Sequence, residues 1–322
     1  MPKTKSGSRA TKRDVTTQSS ATGAGATLSA GPKDAFKNFD PKTTFWNPQN
    51  ARALVYASDL AYRDLARINA TATDWGFDTD LVALIEISDL QAVVMGNETA
   101  VVLAFRGTRP DQLIDWMVDF EILQVPLTKY FACPDVGRVH DGFARLLARG
   151  WKTIVGEVLR RQDKAQTLWI TGHSLGGALA TMATAAFTFA ARMPVNGLYT
   201  FGQPRIGDMG FCTQCDSHFG NVMFRFVNNE DIVTRILPRI VPQLPLPEFY
   251  GHSGQLRYFD AKGALHTDEQ WWNAFLVSVD VGFDKMRELL TGPVADHDLI
   301  NGYASNIEKY LATWHPGDQL PS

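Results

Sequence analysis

From Phe45 onward the apolar residues alternate between two spacings, one of three to four residues and one of short continuous runs. Asn47-Pro48 is a helix-start signal, and Leu54, Val55, Ser58, Tyr62 and Leu65 then share one helical face. Thr99 to Phe105 (TAVVLAF) is β-branched and apolar and closes at Arg106-Gly107, the pattern of a buried strand. Phe143, Leu147, Trp151, Ile154 and Val158 predict an amphipathic helix over 141–161. Strand-like runs follow at Thr167–Thr171, Leu198–Phe201, Val222–Asn228 and Leu256–Asp260, with a helix predicted over 175–192 between the first two. Strands separated by helices of this length require crossover connections, so the pattern predicts an α/β domain with a mostly parallel sheet and helices on both faces.

Composition narrows this picture at the N-terminus. The chain has 322 residues, 45% of them hydrophobic, and a formal net charge of −3. Residues 1–45 carry eight basic and three acidic side chains, which leaves the remainder at −8 and speaks against a nucleic-acid-binding body. The first 30 residues include 11 Ser or Thr and, beyond the initiator Met, only Val15 and Leu28 as large apolar residues. Such a stretch cannot bury enough surface to order itself. Residues 1–40 are therefore expected to be a disordered basic tail, followed by one domain over 41–322. No run approaches the roughly 20 apolar residues that span a bilayer, and the N-terminus lacks the apolar stretch of a secretory signal. With only three Cys, a cytoplasmic setting is favoured, with secretion by another route left open. Cys212 and Cys215 form a lone C-x-x-C with no second pair to complete a zinc site.

The chemistry concentrates in Thr167 to Ala180, TLWITGHSLGGALA. Gly172, His173, Ser174, Leu175 and Gly176 form Gly-x-Ser-x-Gly between a strand pattern and a helix pattern. A serine that leaves a strand and enters a helix in one tight turn takes a strained backbone, and side chains at the flanking positions would collide with the adjoining elements. Its Oγ then projects from the sheet edge, and the helix start aims backbone N–H groups at any oxyanion nearby. A serine hydroxyl needs a base, and the base needs an orienting carboxylate, in the chain order Ser, Asp, His. Asp231 follows the strand Val222–Asn228, with Glu230 as its rival. Of the seven histidines, His140, His173 and His218 precede Asp231, and His173 is expected to serve as a structural hydrogen-bonding residue beneath the turn. His252, His266, His297 and His315 remain; His297 opens a terminal helix pattern and is preferred, with His252 next.

These motifs match a known group. From Phe45 to Tyr310 the chain resembles the class 3 lipases, a family with the α/β-hydrolase fold. The resemblance rests on FRGT at 105–108 with Trp116 and Asp119, VHDGF at 139–143, GHSLGG at 172–177, FGQPRIGD at 201–208, NNEDIV at 228–233 and Asp296-His297. It implies Ser174 as nucleophile, Asp231 as orienting acid and His297 as base. It also implies an oxyanion hole formed by Thr108, through its N–H and hydroxyl, and by the Leu175 N–H. Asp119 is implied as a buttress for Thr108, although the stretch between Thr108 and Trp116 looks about two residues longer than in fungal members. The family further implies a mobile lid between Thr108 and Gln124, and the run from Leu237 to Pro247 suggests an acyl-binding wall with Ile236, Leu237 and Val241.

The expected reaction is hydrolysis of acylglycerol esters through an acyl-enzyme, with a lipid or other ester partner at a lipid–water interface and no metal or organic cofactor. Phospholipase or short-chain esterase activity, and a lipase-like scaffold that binds without turnover, are the alternatives.

Overall fold

The computed structural model describes residues 31–113, 122–162, 166–237, 240–241, 248–267 and 295–318. Eight strands form the main sheet: β1 (Val82–Ile87), β2 (Leu90–Gly96), β3 (Ala100–Phe105), β4 (Thr167–His173), β5 (Gly197–Phe201), β6 (Met223–Asn228), β7 (Gln255–Phe259) and β8 (Leu265–His266). Their order in space follows the chain. Neighbours from β3 to β7 run parallel, while β1, β2 and β8 join antiparallel at the edges. The mostly parallel sheet is thus real at the centre. The β1–β2 hairpin is an addition that the sequence reading did not place; it turns at Ser88, which takes φ 53°.

Among the described residues the α-helices are α1 (Pro48–Leu60), α2 (Leu65–Asp74), α3 (Asp141–Arg161), α4 (Leu175–Ala186), α5 (Met209–Phe219) and α6 (Ser305–Thr313). Asn47 caps α1, its side-chain Oδ1 accepting from the backbone N–H of Gln49 and Asn50, with Pro48 at the first position. Strand alternation sorts the core into two layers. Val101, Leu103 and Phe105 face one side with Leu147, Ile154, Leu179 and Met182 of α3 and α4; Val102 and Ala104 face the other with Leu54 and Val55 of α1. Helices therefore cover both faces, as the crossover argument requires. The helix predicted over 175–192 runs as α4 and then loosens into a π turn, Phe187–Ala191, which Arg192 ends at φ 54°.

Residues 31–40, assigned to the tail by composition, are packed instead. Ala35 and Phe36 are buried, and Phe36 sits 5.0–5.2 Å from the rings of Phe39, Trp75 and Phe77. The Trp75 indole N–H donates to the Pro32 carbonyl at 2.9 Å. Averaging over a basic, hydroxyl-rich stretch hid two aromatic anchors at its end. Residues 1–30 lie outside the described residues. Among the described residues no helix is long and apolar enough to cross a membrane.

Candidate active site

Because β3, β4, β5 and β6 are parallel, their carboxyl ends share one edge of the sheet, and the loops that leave them converge there. Phe105 pairs with Gly172, and His173 with Phe201, so the FRGT loop and the serine turn start side by side.

Ser174 sits at the turn from β4 into α4 with φ 59° and ψ −131°, a conformation that costs a non-glycine residue free energy and persists only where the surroundings impose it. They do so here by close packing. A Cβ on Gly172 would lie 2.2 Å from the Gly176 carbonyl oxygen, and one on Gly176 would lie 2.3 Å from the Phe105 carbonyl oxygen. The helix can approach the strand ends this closely only because both positions are glycine. The Ser174 N–H is held by the Phe201 carbonyl at 2.9 Å, which ties the turn to β5. Leu175 opens α4, so its N–H has no intrahelical acceptor and points out of the helix start.

Asp231 follows β6 and is buried. Its carboxylate accepts from the Val233 N–H at 2.9 Å, from His297 Nδ1 at 2.8 and 3.0 Å, and from the Tyr303 hydroxyl at 2.5 Å. Tyr303 is likewise buried, which pushes its phenol well above the usual range, a direction the adjoining carboxylate reinforces. It therefore stays a donor. Because a carboxylate can only accept, His297 Nδ1 carries the proton and Nε2 presents its lone pair, a tautomer inferred from the hydrogen bonds. The short turn Ala295–His297 that carries this ring is pinned by Asn228, whose Nδ2 donates to the Asp296 carbonyl at 2.8 Å, and by Asn229, which donates to the Asp296 carboxylate at 3.0 Å.

Among the buried side-chain polar atoms that have no hydrogen-bond partner within the described residues are Ser174 Oγ, His297 Nε2 and Thr108 Oγ1. Buried polar groups are ordinarily satisfied, so a serine hydroxyl, an imidazole lone pair and a threonine hydroxyl left open at one sheet edge suit chemistry better than stability. Ser174 Oγ and His297 Nε2 make no direct hydrogen bond here, and such contacts commonly tighten only with substrate.

The competing residues fall elsewhere. Glu230 is exposed. His252 places Nε2 2.9 Å from the Thr234 carbonyl, and burial beside Arg225 and Arg205 holds it well below the usual histidine range. His266 pairs with Asp260 at 3.2 Å, and His315 is exposed. His173 lies beneath the turn as a structural hydrogen-bonding residue, with Nδ1 3.1 Å from the Tyr62 hydroxyl and Nε2 2.9 Å from the His297 carbonyl. Of the suggested acyl-wall residues, Leu237 belongs to the core that contains α3 and α4, and Ile236 is also buried. Trp116, Asp119 and most of the suggested lid lie outside the described residues; Leu113, at its start, is buried. Cys212 and Cys215 are buried free thiols of α5, and burial pushes the Cys212 thiol up to about 12. Tyr303 and Tyr62 were not legible as site residues. Tyr62 counted only as one apolar position on a helix face, and Tyr303 follows Asp231 by 72 residues with no motif to mark it.

A strand–turn–helix serine after β4, together with a carboxylate that follows β6 and pairs with an imidazole from the turn Ala295–His297, defines the α/β-hydrolase class. Triacylglyceride lipase from Rhizomucor miehei has the same fold, with a TM-score of 0.55 over 76% of this chain and 89% of that one at 22% identity. Residues 102–241 match the sequence profile of the family described as Lipase (class 3). Among curated relatives, triacylglycerol lipase OBL1 of Arabidopsis thaliana is 24% identical over 266 residues, 64% of this chain and 48% of that protein. Phospholipase A(1) DAD1, also from Arabidopsis thaliana, is 30% identical over 154 residues, 42% of this chain and 33% of that protein. The chain spans about half the length of the first curated relatives it matches.

Proposed function

We propose that this protein hydrolyses the carboxylic ester bonds of lipids, with acylglycerols as the principal substrates. The observation that carries the reading is the buried His297 imidazole, held through Nδ1 by Asp231 with Nε2 open, at the sheet edge where Ser174 Oγ is also open. The match of residues 102–241 to the class 3 lipase profile and the likeness to triacylglycerol lipase OBL1 support it.

In this reaction Ser174 Oγ attacks the ester carbonyl carbon while His297 Nε2 takes its proton. The new C–O bond places negative charge on the carbonyl oxygen, which the N–H groups of Leu175 and Thr108 and the Thr108 hydroxyl receive. The bond to the alcohol then breaks, and His297 returns the proton to the leaving oxygen. Water repeats the sequence on the acyl-enzyme and releases the acid. Asp231 keeps the imidazole in the working tautomer and stabilises its cation in both halves.

Ser174→Ala should lower hydrolysis of a soluble p-nitrophenyl ester by more than about a thousandfold while the protein stays folded. Retention of activity by that variant would overturn the assignment. Parallel assays on emulsified triacylglycerol and on phosphatidylcholine vesicles separate acylglycerol from phospholipid hydrolysis. Faster turnover of the vesicles would favour the phospholipid alternative, which the likeness to phospholipase A(1) DAD1 keeps open.

A further inference from the structure

The oxyanion loop and the base are carried by segments far apart in sequence, yet a continuous line of hydrogen bonds joins them. The Gly107 N–H donates to the Tyr62 oxygen at 3.2 Å. Tyr62 Oη lies 3.1 Å from His173 Nδ1, and His173 Nε2 lies 2.9 Å from the His297 carbonyl oxygen. These links bridge 45, 111 and 124 residues of chain, so no local turn or helix would create them incidentally.

Donor and acceptor chemistry allows one direction of travel. The His297 carbonyl can only accept, so His173 Nε2 carries a proton. His173 is buried, and this burial, with the neighbouring His297 ring adding to it, holds its pKa well below the usual value. The ring is therefore neutral, which leaves Nδ1 as an acceptor. Tyr62 must then donate to Nδ1, and its burial raises the phenol, so the proton is retained. The remaining capacity of the Tyr62 oxygen accepts the Gly107 N–H. Every partner is used and none is ambiguous.

We propose that Tyr62 and His173 form a relay that positions the oxyanion loop against the base segment, making both of them positioning residues for the reaction at Ser174. The proposal rests on the reading of Ser174, His297 and Thr108 as the reacting groups. Thr108 directly follows the anchored Gly107, and the residue before that is anchored too, the Arg106 N–H donating to the Gln91 carbonyl at 3.0 Å. Thr108 itself is the first residue of the loop whose hydroxyl is left open. At the far end, the His173 and His297 rings lie 4.4 Å apart, so a shift of His173 moves the base directly. A misplacement of about 1 Å at reacting groups costs on the order of a hundredfold in rate, so one such relay carries measurable catalysis.

The test uses the full chain and a soluble p-nitrophenyl ester, with kcat, KM and Tm measured for Tyr62→Phe, Thr108→Val and the double variant. Tyr62→Phe should lower kcat by about ten- to a hundredfold with KM changed less than about twofold. In the Thr108→Val background the same substitution should cost less than about threefold, because both changes act on one oxyanion site. A kcat for Tyr62→Phe within about twofold of the unsubstituted chain, or losses that multiply in full, would overturn the relay. Should Tyr62→Phe not fold, His173→Leu, which removes both the donor toward the His297 carbonyl and the acceptor for Tyr62, is measured in the same way with the same outcomes. A chain that hydrolyses no ester and carries no reactive Ser174 contradicts the underlying site reading instead, and that result is distinct from an active chain indifferent to Tyr62.

Discussion

His297 presents its two nitrogens to different surroundings, one to a buried carboxylate and one to the open site, and that asymmetry makes an imidazole a directed base. Asp231 in turn is held by Val233 and Tyr303 as well as by His297. Tyr303→Phe leaves the ring packed but removes the donor 2.5 Å from the carboxylate. Hydrogen bonds to charged groups contribute about 1.5–3 kcal/mol, so urea unfolding should show a loss of that size, with kcat lower by about tenfold. An unchanged unfolding midpoint would mean that Asp231 does not depend on Tyr303. The residues proposed to react were legible because mechanism fixes their types and fold fixes their order. Ser174, Asp231 and His297 satisfy both constraints, and the structure brings Asp231 and His297 into contact. Tyr303 and Tyr62 were not legible, because a hydroxyl that supports a reacting group from behind is constrained by three-dimensional reach alone.

At the scale of elements, the turn between β4 and α4 is where backbone strain meets close packing. Gly176→Ala would place a Cβ 2.3 Å from the Phe105 carbonyl oxygen, a backbone atom that cannot rotate away. Helix and strand would have to separate. The expected cost is about 1–3 kcal/mol of stability, together with an approximately hundredfold slower reaction of Ser174 with a fluorophosphonate. Reaction at the unsubstituted rate would show that the glycine is dispensable to the turn. The long apolar elements were readable from their period: the strand through Phe105, the amphipathic helix at 141–161 and the strand before Ser174 all appear within a residue or two of their expected bounds. The β1–β2 hairpin was missed because its sequence, VALIEISDLQAVVMG, lies at a sheet edge and turns at Ser88 and Asp89 without the glycine or asparagine that usually marks such a turn. The packed stretch 31–40 was missed because its anchor, Phe36, gains its partners Trp75 and Phe77 only through tertiary contact.

For the molecule as a whole, the fold holds two histidines below their usual range, and this links stability to pH. His173 and His252 are both held well below the usual histidine range, chiefly by burial, with His297 adding to the effect at His173 and Arg225 and Arg205 at His252. In the unfolded chain each takes up a proton near pH 6.5, so the unfolded state binds more protons and folding stability falls as the pH drops below that value. Each histidine contributes a slope of about 1.4 kcal/mol per pH unit there. His252→Gln keeps a donor for the Thr234 carbonyl and removes one titrating group. Its stability, measured by urea unfolding at pH 7, 6 and 5, should therefore fall less steeply than that of the unsubstituted chain, by about one proton's slope. An identical slope would mean that His252 does not carry this linkage.

The reading of the whole protein as an ester hydrolase depends on one nucleophile activated by one base, and covalent trapping tests that dependence directly. The full chain is treated with a fluorophosphonate, and the modified residue and its stoichiometry are read by mass spectrometry of the intact protein and its peptides, alongside His297→Ala. One adduct per chain on Ser174, lost or greatly slowed in His297→Ala, is the predicted result. Ester hydrolysis that proceeds with no adduct on Ser174, or an adduct that forms equally fast without His297, would contradict it.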